Sequence, residues 1–426
     1  MIGIIVAGLV VIASLSIVFL VTPVDRRRGV AAALGVAVLA FGASATAPPL
    51  VQNASQAGAA CLFLLGAATT GRRFTLGRAT PVFSLMVVFA GIVLVTTVIV
   101  YPAGAVAWAK LAIVAVTGMS CAAGFRPADR AVFLSGLVGL ALVESMLGFA
   151  EFFVVGEPVP WGFKLRADGS SSILLNPILP GSPVRISGSL GHPIAFATFI
   201  GAALLVVVCE GKRRAALWRT TLLAAFIAAI VLSGSRSVMI GVALGVIVVV
   251  WSVRHGVVVR VFGVVAVLFL GGVVFASDIA AAVDRLVSSG SYTNRASALD
   301  AVPGLLGREP LEVLFGSGFG SDFDLYHRGF FLQDGFMVID NQLVTTIGTE
   351  GVVGLLLVVS VFTVAWLRGD AMRRGVLAMF AVMLFSFDYF GWFLMLTLLS
   401  VFLVFPSVGR VTTAPSPAEE PASAMP

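Results

Sequence analysis

The stretch "VIDNQLVTTIGTEGVVGLLL", Val338 to Leu357, sets Asp340, Asn341 and Gln342 directly before a run that could sit in lipid. Two chemistries suit that placement. A carboxylate at the outer end of a membrane helix is a candidate general base, with Asn341 and Gln342 beside it to orient a hydroxyl or a phosphate. The alternative is a helix cap, because Asp and Asn accept hydrogen bonds from the first free N–H groups of a helix and gain from its dipole.

Three arginines offer a complementary chemistry: Arg185 in "PVRISGSLGHP", Arg236 in "LSGSRSVMIG" between two apolar runs, and Arg295 in "SYTNRASALD". Converging guanidinium groups suit a diphosphate, since their planar forks donate paired hydrogen bonds and stay charged at any physiological pH. Gly234 and Ser235 would let backbone N–H groups approach the same anion. Each arginine also has a plain structural reading: Arg185 reaching headgroups, Arg236 binding carbonyls in a tight turn, Arg295 as a solvated loop charge.

Other polar residues carry weaker signals. Asp322 and Asp324 form an Asp-x-Asp tripeptide of the kind that holds a divalent metal, but an acidic loop patch is commonplace and no metal is expected. His327 and Arg328 follow and are candidates for contacting acceptor sugars. Trp161, Lys164 and Arg166 fit an interfacial aromatic belt better than a sugar site. Lys110, Glu144 and Asp388 lie in or at the ends of apolar runs, where charge is a functional hypothesis by default; a Lys110–Glu144 pair between neighbouring helices is the simplest expectation. Cys61, Cys121 and Cys209 have no metal-ligand spacing and read as small hydrophobes.

The elements that must hold these groups follow from composition. Of 426 residues 59% are hydrophobic and 11% charged, with a mean hydropathy of +1.07, which leaves too little polar surface for a soluble domain. About thirteen apolar runs, each long enough to cross roughly 30 Å of hydrocarbon, recur from Met1 to Pro406. They lack the alternation of barrel strands, so they predict an all-α polytopic bundle. The first run, Met1 to Val21, reads as a retained helix and not a secretory signal.

Basic loops recur at Arg26 to Arg28, Arg72 to Arg78, Arg126 to Arg130, Lys212 to Arg219, Arg254 to Arg260 and Arg368 to Arg374. By the positive-inside rule all are cytoplasmic, which puts the N-terminus outside and also accounts for the net charge of +6 without nucleic acid. The expected divisions are 1–150 (N-terminal membrane helices), 151–190 (a first long external loop), 191–276 (central membrane helices), 277–339 (a large external loop), 340–409 (C-terminal membrane helices) and 410–426 (a disordered tail). Apolar spacing in the second loop predicts short helices along the membrane face, forming an ordered cap over an outward-facing cavity. No internal repeat suggests the inverted halves of a transporter.

With these segments in place, the chain resembles the O-antigen ligase and O-antigen polymerase superfamily, integral-membrane glycosyltransferases acting on polyprenyl-diphosphate-linked glycans. The family's signature of His, then Asn/Ser/Gln, nine residues and Gly-x-x-Gly is matched by Asp340-Asn341, Gln342 to Glu350, and Gly351-Val352-Val353-Gly354. "LSGSRS" is similar to the family's Ser-Arg turn, "RISGSLGHP" to its Arg-x-x-Gly-x-x-x-x-Pro segment, and "VLFGSGFG" to its Leu-x-Gly-x-Gly run. The match spans Arg185 to Leu357.

What the resemblance implies is a GT-C-like bundle of 12–13 helices, working without cofactor or metal. It would perform inverting transfer of a glycan from a polyprenyl-diphosphate donor to a glycan or glycolipid acceptor, at the outer face of the cytoplasmic membrane, alone or with other polysaccharide-assembly proteins. Arg236 and Arg295 occupy the places of the family's diphosphate-holding arginines. The departure is Asp340, where ligases carry histidine: an aspartate is a weaker base unless its surroundings raise its pKa. From another class, a lipid-linked oligosaccharide flippase would need a cavity and arginines too, but should line its midplane with polar groups; a non-catalytic assembly partner is a third reading.

Overall fold

The computed structural model describes residues 18, 21–69, 79–163, 171–179, 181–210, 215–252, 297–333 and 339–407. Arg295, Lys164, Arg166, the first apolar run and the basic loops at 72–78 and 254–260 lie outside the described residues. The bundle begins with α1 (Arg27–Gly42), α2 (Pro49–Ala68), α3 (Thr80–Val100), α4 (Pro102–Ala123) and α5 (Pro127–Ala150). It continues with α6 (Pro193–Cys209), α7 (Ala216–Ser233) and α8 (Arg236–Ser252). Three short helices follow, α9 (Val302–Leu306), α10 (Pro310–Phe315) and α11 (Asp322–His327), then α12 (Gln342–Thr349), α13 (Gly351–Leu367), α14 (Ala371–Met383) and α15 (Phe393–Val404).

The architecture is all-helical, with no strand among the described residues beyond one bridge between Leu175 and Val184. Five helical segments are long and apolar enough to cross a membrane: Pro49–Ala68, Thr80–Val100, Pro102–Ala123, Pro127–Val155 and Ala216–Ser233. Four further apolar helices, α6, α8, α13 and α15, run 12 to 17 residues. Proline opens α2 to α6 in their first turns, where its missing N–H costs nothing. Little drives two apolar helices together in lipid except close packing, and α8 and α14 achieve it through small residues. A Cβ on Gly245 would lie 2.7 Å from the Gly375 carbonyl oxygen.

Contacts divide the bundle into two ends. At one, Arg28 donates to Ala67 O (3.0 Å), Arg130 pairs with Asp370 (2.9 Å), and Arg373 donates to Leu403 O. The described basic segments thus meet at one end. The opposite end gathers 41–46, 97–104, 151–163, 171–179, 181–192, 232–236, 317–319 and 384–392, tied by Trp161 Nε1 to Phe41 O (2.7 Å), Phe319 N to Thr97 Oγ1 (2.9 Å) and Arg185 Nε to Ser233 O (2.6 Å). The described part of the cap therefore sits opposite the described basic segments.

Two expectations need correction. Lys110 and Glu144 do not pair: Lys110 Nζ donates to Asn53 Oδ1 (2.8 Å), whereas Glu144, buried in α5, accepts from Ser189 N (3.0 Å) and shares a short hydrogen bond with Ser189 Oγ. Glu151 accepts from Ser187 N and Gly188 N (both 2.9 Å). A buried carboxylate needs strong donors, and these two find them in the backbone of 187–189. The charge predicted to bridge helices instead nails down the segment between Arg185 and His192.

The second correction concerns the helix after Asp340. The sequence predicts one apolar helix through Leu367; the chain breaks at Glu350, and Gly351 has φ 73°. A break at membrane depth frees carbonyls that must find donors. Here the loop after α10 supplies them: Ser317 N to Gly348 O (3.0 Å), Gly318 N to Thr349 O (2.9 Å), and Arg308 to Gly348 O (3.0 Å) and Ile347 O (2.9 Å). Gly316 (φ 79°) and Gly351 permit that approach, since a Cβ on Gly316 would meet Thr349 O at 2.2 Å. "VLFGSGFG" is thus the plug of a broken helix. Arg308→Ala should cost at least about 2 kcal/mol by leaving buried carbonyls without partners. Faster amide exchange confined to 305–318 and 342–350 is the expected readout; uniform exchange would contradict the assignment.

The cap has its own core. Leu305, Leu325, Tyr326 and Phe331 pack with Val344 and Ile347 of α12, apart from the main bundle core. An apolar groove of about 700 Å³ opens sideways between α3 and α10, lined by Ile92, Val95, Ile99, Leu311 and Phe315.

Candidate functional site

Arg236 is placed by the hinge between α7 and α8. α7 ends on Gly234 at φ 64°, leaving its last carbonyls unmet. Asn176 Nδ2 takes Val231 O (3.0 Å) and Leu232 O (2.9 Å), and Arg185 Nε takes Ser233 O (2.6 Å). A second Arg185 nitrogen donates to Ser235 Oγ (2.9 Å), which reaches Pro193 O at 3.2 Å. The carbonyl-binding role expected of Arg236 therefore belongs to Arg185. Arg236, the first residue of α8 and half-buried, has no hydrogen bond or ion pair among the described residues. A guanidinium held at a helix start with no partner among the described residues keeps its donors available to an anion.

The capping question at Asp340 is settled in favour of its neighbour. Asn341, 1% exposed, caps α12, its Oδ1 accepting from Leu343 N (3.1 Å) and Val344 N (3.2 Å). Gln342, equally buried, accepts from Phe390 N (2.8 Å) and faces Thr346 Oγ1 (3.4 Å). Gln342 has both ends of its amide engaged, and the Asn341 oxygen is taken by the cap. Asp340, half-buried and one residue before the cap, is the member of the trio with an accessible side chain.

Behind it stand acids that sequence reasoning did not connect. Asp388, in the turn before α15, lies in the electrostatic field of Asp340 and Asp322, and Glu350, buried at the helix break, in that of Asp388 and Asp322. Asp322 is a single residue of α11 with one oxygen buried and unpartnered. Burial pushes its carboxyl up to about 6. A raised carboxylate pKa means that the folded state holds its proton more tightly than the unfolded chain, so stability is lost as pH rises from about 4 through about 6. Asp322→Asn should therefore stabilise the protein by about 1–3 kcal/mol at pH 7 and change little at pH 4, read as a pH series of unfolding temperatures. Asp322 and Asp324 stand two apart on a helix and so do not face each other. No group of three acidic, His or Cys residues among the described ones is arranged to hold a metal.

The two acceptor candidates lie on the cap surface. Arg328 forms a bidentate pair with Glu312, 3.0 Å on one arm, and rests its guanidinium 5.0 Å from the Phe330 ring. Hydrogen bonding from Arg328 holds the Glu312 carboxyl down at about 2. Exposed His327 has its ring edge-on to Phe323 at 4.2 Å. Trp161 anchors the first loop on α1.

A chain of contacts links the Arg236 hinge to the Asp340 helix. Ser235 binds Pro193 O, His192 precedes that proline and stacks on Phe387 (5.2 Å), and Phe390 in the same turn binds Gln342. Arg185, Arg236, Asp340 and Asn341 thus share one end of the bundle. The 384–392 turn that joins them was missed; five aromatics in "LFSFDYFGW" were its available signal. No protein-family model matches the chain, and no curated protein matches it.

Proposed function

We propose that the protein is a membrane glycosyltransferase. It moves a glycan from a polyprenyl-diphosphate carrier to an acceptor hydroxyl at the outer face of the cytoplasmic membrane, as a repeat-unit polymerase or an O-antigen-type ligase. The observation that supports the reading is the division of labour at the cap end: Arg185 takes the carbonyls of the hinge and Asn341 caps α12, while Arg236 has no partner among the described residues and Asp340 is half-buried beside the cap. In this reading Arg236, with Arg295, neutralises the leaving diphosphate, and Asp340 accepts the proton of the attacking hydroxyl. His327 and Arg328 meet the acceptor from the cap, and the lateral groove accommodates an isoprenoid tail. Arginine supplies the charge neutralisation, so no metal or other cofactor enters the step.

The test is to incubate the purified protein with polyprenyl-diphosphate oligosaccharides, with and without chelator. Longer chains or released lipid diphosphate, unaffected by chelator, are expected. Movement of the lipid-linked glycan across vesicles without transfer would instead establish a flippase, the alternative that the same arginines also suit.

A further inference from the structure

The 384–392 turn does more than connect two helices. Phe387, buried, backs two half-buried rings: His192 lies 5.2 Å from it at 24°, and Trp392 lies 5.3 Å from both. Trp108 and Trp161 each place the indole N–H on a carbonyl, Ala90 O and Phe41 O, but Trp392 has no such partner among the described residues. Gly391 beside it is exposed and Trp392 itself is only half-buried, so part of the indole reaches the surface at this end of the bundle. Asp388 belongs to the same turn and sits within the field of Asp340. His192 is one residue from the proline that holds the Arg236 hinge.

An aromatic face and a spare N–H donor at the cap end match a ligand with an apolar C–H face rimmed by hydroxyls. A lipid chain would have no use for the donor. We infer that Trp392, backed by Phe387 and flanked by His192, is a stacking platform for one pyranose ring of the glycan, with the indole N–H donating to one of its hydroxyls. This rests on the glycan-handling reading above, and it places a sugar between the elements that carry Arg236 and Asp340.

The probe is the lipid-free oligosaccharide released by mild acid from the cells' own polyprenyl-diphosphate glycans, followed by saturation-transfer NMR on the full-length protein. Trp392→Tyr keeps a ring and a polar tip, whereas Trp392→Leu keeps apolar bulk alone. Binding should weaken roughly 3- to 10-fold in the Leu variant and stay near wild type in the Tyr variant. In the transfer assay the Leu variant should raise KM for the substrate that supplies the ring: the lipid-linked donor or the growing acceptor. Its kcat should stay within about twofold, as expected for uniform binding lost.

Equal binding by all three proteins, or no binding by the wild type, overturns the platform. Trp392-dependent binding without any transfer leaves the platform standing and removes the transferase reading instead.

Discussion

Turnover should fall roughly 10²- to 10⁴-fold when Asp340 is replaced by Asn, the usual range for losing a general base. The structure sharpens that experiment. Had Asp340 capped the helix, Asn would have capped it equally well, and retained activity would have identified a structural role. The cap is Asn341, so Asp340→Asn leaves the cap of helix α12 in place. Asn341→Ala is the natural partner: it should cost about 1 kcal/mol of stability through the lost cap, with activity falling only as far as the helix frays. Asp340→His would install an imidazole at this position and, on the proposed reading, should keep measurable turnover with a pH profile moved toward imidazole titration. An Asn variant with near-normal turnover, where chemistry is rate-limiting, would return Asp340 to a bystander's place.

Arg236→Ala is expected to abolish transfer while leaving folded protein at wild-type levels. The guanidinium makes no contact whose loss the described structure would feel, whereas a diphosphate deprived of it faces an uncompensated dianionic leaving group. Lys should rescue only in part, because it offers a point charge in place of a fork. Arg185→Ala should behave in the opposite sense. It frees Ser233 O and Ser235 Oγ, so thermal stability drops together with activity. If Arg236→Ala unfolds the protein and Arg185→Ala only inactivates it, the two roles assigned here are exchanged.

The helical bundle and the clustering of its described basic segments were legible because they rest on composition and on arginine placement, which act over whole segments. Arg26 to Arg28, Arg126 to Arg130 and Arg368 to Arg374 do gather at one end. What the sequence could not show was which polar groups are already engaged. Arg185 and Arg236 look alike in a string of letters; only the geometry of the unwound 233–236 turn assigns one to carbonyls and leaves the other without a partner among the described residues. Glu144 read as a charge in search of a lysine, since nothing local reveals that the Ser187–Ser189 backbone returns to it from 45 residues away. The break at Glu350 was hidden for another reason. Gly351 and Gly354 were read as part of a family signature, and a hydrophobic run of the right length reads as one helix whether or not it bends. Trp392 carried no signal because aromatic-rich turns near a membrane surface are ordinary, and Asp388 stood out only as a charge at the end of an apolar run.

The broken helix also decides what Asp340 belongs to. Val344 and Ile347 place α12 in the core of the cap, while Arg236 stands on a helix of the bundle. The two candidate catalytic groups therefore stand on different packing units, tied together by Phe319 N on Thr97 Oγ1, by the Phe319 ring 4.9 Å from that of Trp108, and by Gln342 on Phe390 N. Any shift of the cap core against the bundle would then alter the distance between the proposed proton acceptor and the proposed diphosphate site.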